Sequence, residues 1–144
     1  MGQPKGEAME ITISKQQGRV PVTVVQPHGD VDASNYAELV NKARELFKGG
    51  AKDFIVDLSD VPFMSSAGLV ALHSIAMFLR GEQPIDPRSG WAMLKSMDRS
   101  RGGAMQTHIK LLGPQQMVSE TLDKAGFTQF FQVFTDLKKA VASF

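Results

Sequence analysis

The sequence predicts one α/β domain built from four to five strands and about four helices. Three observations carry that expectation. Phe54-Ile55-Val56-Asp57-Leu58 is a short apolar run rich in β-branched residues, which suits a strand buried on both faces. Two stretches flank it with apolar residues at helical spacing: Tyr36, Leu39, Val40, Ala43, Leu46 and Phe47 before it, and Leu69, Leu72, Ile75, Ala76 and Leu79 after it. The chain has 144 residues, 42% hydrophobic and 22% charged, which fits a single globular core rather than two cores, a fibre or a disordered chain.

Taken in order, residues 1–8 are polar with Gly2, Pro4 and Gly6 and form a flexible lead-in, leaving 9–144 as the domain. From Met9 to Lys15, Met9, Ile11 and Ile13 alternate with Glu10, Thr12 and Ser14, the period of a half-buried strand. Gln17-Gly18 supplies a turn, and Val20 to Gln26 is the hairpin partner. Pro27 to Asn35 is a loop rich in capping residues, and the first helix follows, ended by Gly49-Gly50 in the left-handed conformation that glycine adopts without steric cost. After the apolar strand, Pro62 and the small residues Ser65-Ser66-Ala67-Gly68 open the second helix.

Arg80 to Thr107 is a long connection, of the kind that is either functional or mobile. Within it Pro84, Pro87 and Gly90 mark loop, and Trp91, Leu94 and Met97 share one face of a short helix; Trp and Met are common at interaction surfaces, and packing of that face on its own domain is the preferred of the two readings. His108 to Leu112 is a strand, and Gly113-Pro114 opens a helix with Met117, Val118, Leu122 and Ala125 on its apolar side and Gly126 as its stop. Phe127 to Phe134 reads as a short last strand, and Thr135 caps a final helix carrying Leu137, Ala140, Val141 and Phe144.

The hydroxyls at the mouth of the second helix carry the chemistry. The first backbone N–H groups of a helix lack internal partners, and the aligned peptide dipoles make that end partly positive. A phosphate there would add about −1.5 to −2 charges at an end that tolerates them, so modification changes the surface and leaves the fold intact. The same serines are also ordinary capping residues, and the two roles are compatible.

The run DLSDVPFMSSAGL resembles the signature of STAS domains, the family of bacterial anti-sigma factor antagonists. The resemblance implies a STAS-like mixed sheet. It places the phosphoacceptor on Ser66, with Ser65, which stands where the family has an acidic residue, as second choice. Ala67 replaces a further hydroxyl, and Gly68 matches the family glycine. Gly29 and Asp32 match a Gly-x-x-Asp element whose acid lies near the phosphoserine in the family.

The resemblance extends from Met9 to about Arg80 and from Gly102, in a Gly102-Gly103 turn, to the end; it leaves an inserted segment near 81–101 outside. It implies a partner-binding surface of Asp30, Asp32, Ser34, Met64, Ser65 and Ser66. Unphosphorylated, such a domain binds an anti-sigma factor that is also its serine kinase; phosphorylation releases it, a serine phosphatase restores it, and transcription is thereby regulated. The alternative is a non-switching STAS scaffold or accessory subunit in a stress-signalling assembly or a lipid-transport complex.

Other classes fare poorly. There is no Cys, which removes disulfides, thiolate metal sites and cysteine nucleophiles and fits a reducing compartment. Lys and Arg total 16 against 15 acidic residues, so direct nucleic-acid binding is not expected. No apolar run approaches the roughly 20 residues that cross a bilayer, and no export signal opens the chain, so a cytoplasmic protein is expected. Met64-Ser65-Ser66-Ala67-Gly68 lacks the first glycine of a nucleophile elbow, and phosphate-loop and His-Glu-x-x-His patterns are missing. His73 has no second ligand type one turn away and reads as a packed or surface side chain. No catalysis, cofactor or metal is expected.

Overall fold

The computed structural model describes residues 9–81 and 105–144. Five strands form one sheet in the order β1-β2-β3-β4-β5: β1 (Glu10–Gln17), β2 (Pro21–His28), β3 (Phe54–Asp57), β4 (Ile109–Leu112) and β5 (Val133–Phe134). The β1–β2 hairpin is antiparallel, and every later pairing is parallel. Helices α1 (Tyr36–Lys48), α2 (Ser66–Leu79) and α3 (Gln116–Lys124) connect the parallel strands, and α4 (Leu137–Ala142) ends the chain. The mixed sheet and the four α-helices among the described residues agree with the expected fold class. The lead-in at 1–8, the short helix through Trp91, Leu94 and Met97 and the Gly102-Gly103 turn lie outside the described residues, as does almost all of the expected 81–101 insert.

The alternation of β1 and β2 divides the core in two. Val25, Phe54, Val56, Ile109 and Leu111 face one side, where Leu39, Val40 and Ala43 of α1 and the apolar residues of α2 cover them. Val22, Val24, Ile55 and Leu112 face the other, against Ala140 and Val141 of α4. Strand β3 is therefore apolar on both faces, as its unbroken run requires. Helix α2 is buried continuously from Gly68 to Phe78, His73 included, because its sequence is apolar nearly all round.

Several elements differ from the sequence expectation. The hairpin strands run two residues further, so His28 belongs to β2 and not to the following loop. At the end of α1 the positive φ, 113°, falls on Gly50, while Gly49 is an ordinary C-cap with φ of −80°. In α3 it is Val118 and Leu122 that are buried, whereas Met117 and Ala125 are exposed. The expected strand over 127–134 is mostly a 3-10 turn at Phe127–Gln129, with only Val133–Phe134 as strand. Its buried rings, Phe127, Phe130 and Phe131, are spaced three and four apart, a helical period, and Phe127 stacks on Phe131 at 5.4 Å. Helix α4 is capped by Asp136 and not by Thr135: the Asp136 carboxylate accepts from the backbone N–H of Lys138 at 2.8 Å and of Lys139 at 3.3 Å.

Candidate functional site

Because β2 and β3 are parallel neighbours, the loops that leave their C-terminal ends must emerge at the same end of the sheet, where open α/β sheets commonly place their sites. These are the loop from Gly29 to Asn35, leading into α1, and the loop from Leu58 to Ser65, leading into α2. They also pair with each other. Gly29 N–H donates to the Asp60 carbonyl at 2.9 Å, Val31 N–H to the Phe63 carbonyl at 3.0 Å, and Ser65 N–H to the Val31 carbonyl at 2.9 Å. Val31 and Met64 form a parallel bridge, so the two loops make one continuous surface.

Side chains along the second loop divide between core and solvent. Val61 and Met64 are at most 1% exposed and join the core with Val31, while Phe63 is 41% exposed. Met64, expected on the partner-binding surface, is thus part of the hydrophobic core, and its neighbour Phe63 is what the loop shows to solvent. Phe63 escaped the sequence reading because aromatic residues default to the interior. Gly68 lies directly on Met64, with no room for a side chain. The small residue at this motif position thereby seats the first turn of α2 on the bridged loops.

Ser65 and Ser66 have different positions. Ser65 is the N-cap of α2, half-buried, with its Oγ accepting from Ala67 N–H at 3.2 Å. Ser66 is the first helical residue and is exposed. The hydroxyl in the family's acidic position is therefore engaged in capping, and the one in the phosphoacceptor position faces solvent.

The Asp32 loop is a network of short-range turns. Asp32 carboxylate oxygen Oδ1 accepts from Ser34 Oγ at 2.6 Å and from Ser34 N–H at 3.0 Å. These bonds, the hydroxyl one foremost, hold the Asp32 carboxyl below the usual carboxylate pKa, because they favour its ionised form. Asn35 closes the loop: its Oδ1 accepts from Asp32 N–H at 3.0 Å and its Nδ2 donates to the Asp30 carbonyl at 2.9 Å. Gly29 turns with φ of 95°, a conformation that other residues rarely adopt, which explains the glycine three residues before Asp32. Asp30 and Ser34 are exposed, Asp32 partly so, and with Asp60 they give the two-loop surface an acidic character. Of the six residues expected to meet a partner, five thus lie on these two loops or the first turn of α2 with some exposure, and Met64 does not.

Among the described residues no cluster of three metal-ligating side chains occurs, and no helix is long and apolar enough to cross a membrane.

Comparison with solved structures finds the same architecture in an anti-sigma factor antagonist from Mycobacterium paratuberculosis, at 15% identity and a TM-score of 0.67, covering 98% of this chain and 97% of that one. The Bacillus cell fate determinant SpoIIAA in its phosphorylated form is similar at 13% identity and a TM-score of 0.51, covering 91% of this chain and 96% of that one. No curated protein matches the chain. The family model for the STAS domain matches residues 12–83, which take in all but the first two residues of the hairpin, both bridged loops and the whole of α2. With the two-loop surface and the serine-opened helix inside that match, the chain belongs to the STAS domain family.

Proposed function

We propose that the chain is an anti-sigma factor antagonist controlled by phosphorylation of Ser66. Unmodified, it binds an anti-sigma factor through Asp30, Asp32, Ser34, Phe63, Ser65 and Ser66, and so frees a sigma factor. The anti-sigma factor is also the serine kinase, and a serine phosphatase resets the cycle. In this reading the chain catalyses nothing, needs no cofactor and works in the cytoplasm. Its likeness to anti-sigma factor antagonists supplies the partner class.

The observation that carries the reading is an exposed Ser66 at the first position of α2, beside a Ser65 already engaged as cap. A phosphate on Ser66 meets the favourable end of the helix dipole, so the domain keeps its fold. The partner meets a new double charge on a surface that is already acidic. A loss of about 2.7 kcal/mol in the interface weakens binding a hundredfold, and no refolding is required.

The test is phosphopeptide mass spectrometry after incubation with anti-sigma serine kinases of the same genome, together with capture of those proteins by wild type, Ser66→Ala and Ser66→Asp. Phosphate on Ser66 and loss of capture by Ser66→Asp alone are expected. Capture that neither substitution changes would replace the switch by a non-switching scaffold or accessory subunit, a reading favoured by the loss of the family's acidic residue at Ser65.

A further inference from the structure

Thr12, His28 and Asp60 form a hydrogen-bonded relay on the sheet face turned away from α1 and α2. Ile11 and Ile13 pack toward the helical core, so Thr12 between them points to the opposite side, the side of Val24, Gln26 and His28 in β2. Thr12 Oγ1 lies 2.7 Å from His28 Nε2, and His28 Nδ1 lies 2.5 Å from Asp60 Oδ2. With Asp60 ionised, Nδ1–H donates to the carboxylate, and Nε2 is left to accept the Thr12 proton. This is the order that activates a hydroxyl: nucleophile, base, and an acid that orients the base. Gln26 is directly across from Thr12 in the register, and its side-chain Nε2 donates to Ser59 Oγ at 3.3 Å.

We propose that Thr12 is a reactive hydroxyl that accepts an acyl group from an activated ester or thioester. Thr12 Oγ1 attacks the acyl carbonyl carbon while His28 Nε2 takes the hydroxyl proton. The second N–H of the Gln26 amide, the one not given to Ser59, donates to the oxyanion, and collapse of the tetrahedral intermediate breaks the bond to the leaving group, which departs with the proton from His28. The product is an O-acyl Thr12 and a free alcohol or thiol. A phosphoryl donor fits less well, because Glu10, which pairs with His28, and Asp60 surround the site with negative charge. The relay is independent of Ser66 and stands or falls separately from the switch.

The experiment is incubation of the full chain with p-nitrophenyl acetate, read by phenolate release and by peptide mapping of the acetyl group. Acetylation on Thr12 is expected, and Thr12→Ser retains it at the same position. It should fall about a hundredfold in His28→Ala, the usual worth of a positioned base, and be absent from Thr12→Val. Asp60→Asn, which unsettles the orientation of the imidazole, should reduce it by about tenfold at least. Acetyl groups found only on lysines, or Thr12 labelling that His28→Ala leaves unchanged, would overturn the proposal. Thr12→Val keeps the β-branched shape that suits a strand, so the comparison holds even if the His28 variant folds poorly.

Discussion

Met64 is pinned beneath Gly68: a β-carbon at Gly68 would stand 2.3 Å from Met64 Cγ and 3.2 Å from Val31 Cγ1. One glycine therefore sets how closely α2 can approach the bridged loops that form the candidate surface.

Gly68→Ala tests this approach directly. Alanine favours a helix interior by about 1 kcal/mol, but the clash falls on the middle of a fully buried side chain and not on a free end. Overpacking of this kind costs about 1–3 kcal/mol, so a net loss of stability is expected in urea unfolding. Combined with Met64→Ala, which alone should cost about 2–5 kcal/mol, the loss should be less than additive. A Gly68→Ala protein as stable as wild type would show that the loop gives way freely.

The two serines should separate by stability. Ser65→Ala removes the cap bond to Ala67 and should cost about 1 kcal/mol. Ser66→Asp places a negative charge in the first turn and should stabilise by about 0.3–1 kcal/mol at low salt while abolishing partner capture. Thermal melts of both variants, run beside the capture experiment, check the pair. A Ser66→Asp protein that melts below wild type would mean that the modification disturbs the fold.

Much of this site was legible before any coordinates. The strand at Phe54, the helix start at Ser65 and the spacing of Gly29 and Asp32 are local patterns, and parallel pairing of β2 and β3 then brings the loops together. The burial of Met64 was not legible, because whether a residue after Pro62 turns inward depends on the bridge to Val31, thirty-three positions away in the chain. The Thr12–His28–Asp60 relay needed the hairpin register, which reading His28 as loop concealed. The aromatic segment from Phe127 misled for a different reason. Aromatic content favours strands, yet the spacing of Phe127, Phe130 and Phe131 is helical, and tertiary burial followed the spacing.

Asp32 makes stability depend on acidity in a stated direction. Its folded pKa is lowered by the Ser34 hydroxyl and N–H, so its contribution is present above the unfolded carboxylate pKa and is lost as pH falls through the folded one. Ser34→Ala removes the larger of the two causes. The Asp32 carboxyl should then titrate at higher pH by NMR, and the stability gap between wild type and Ser34→Ala should close under acid conditions. A gap that stays constant down to the lowest pH at which both fold would assign it to the serine itself and not to the carboxylate.

Lys110 gives the opposite sign. It is 4% exposed, with Nζ donating to the Ser143 carbonyl at 3.0 Å and Ser143 Oγ at 2.9 Å, and it lies 4.4 Å from the centre of the Phe144 ring. The cation thus closes the C-terminal end of α4, where the helix dipole favours it. Desolvation nevertheless lowers its pKa, with Asp53 opposing the shift in part. A lysine whose folded pKa lies below its unfolded value binds fewer protons when folded, so its penalty is present below the folded pKa and fades as pH rises toward the unfolded one. Lys110→Met abolishes that dependence. Between neutral and strongly alkaline pH, the unfolding free energy of wild type should therefore rise relative to Lys110→Met. Faster amide exchange in α4 of the variant should accompany it, because the Ser143 carbonyl has lost its donor. A pH-independent difference between the two proteins would show that Lys110 is charged without penalty in the fold.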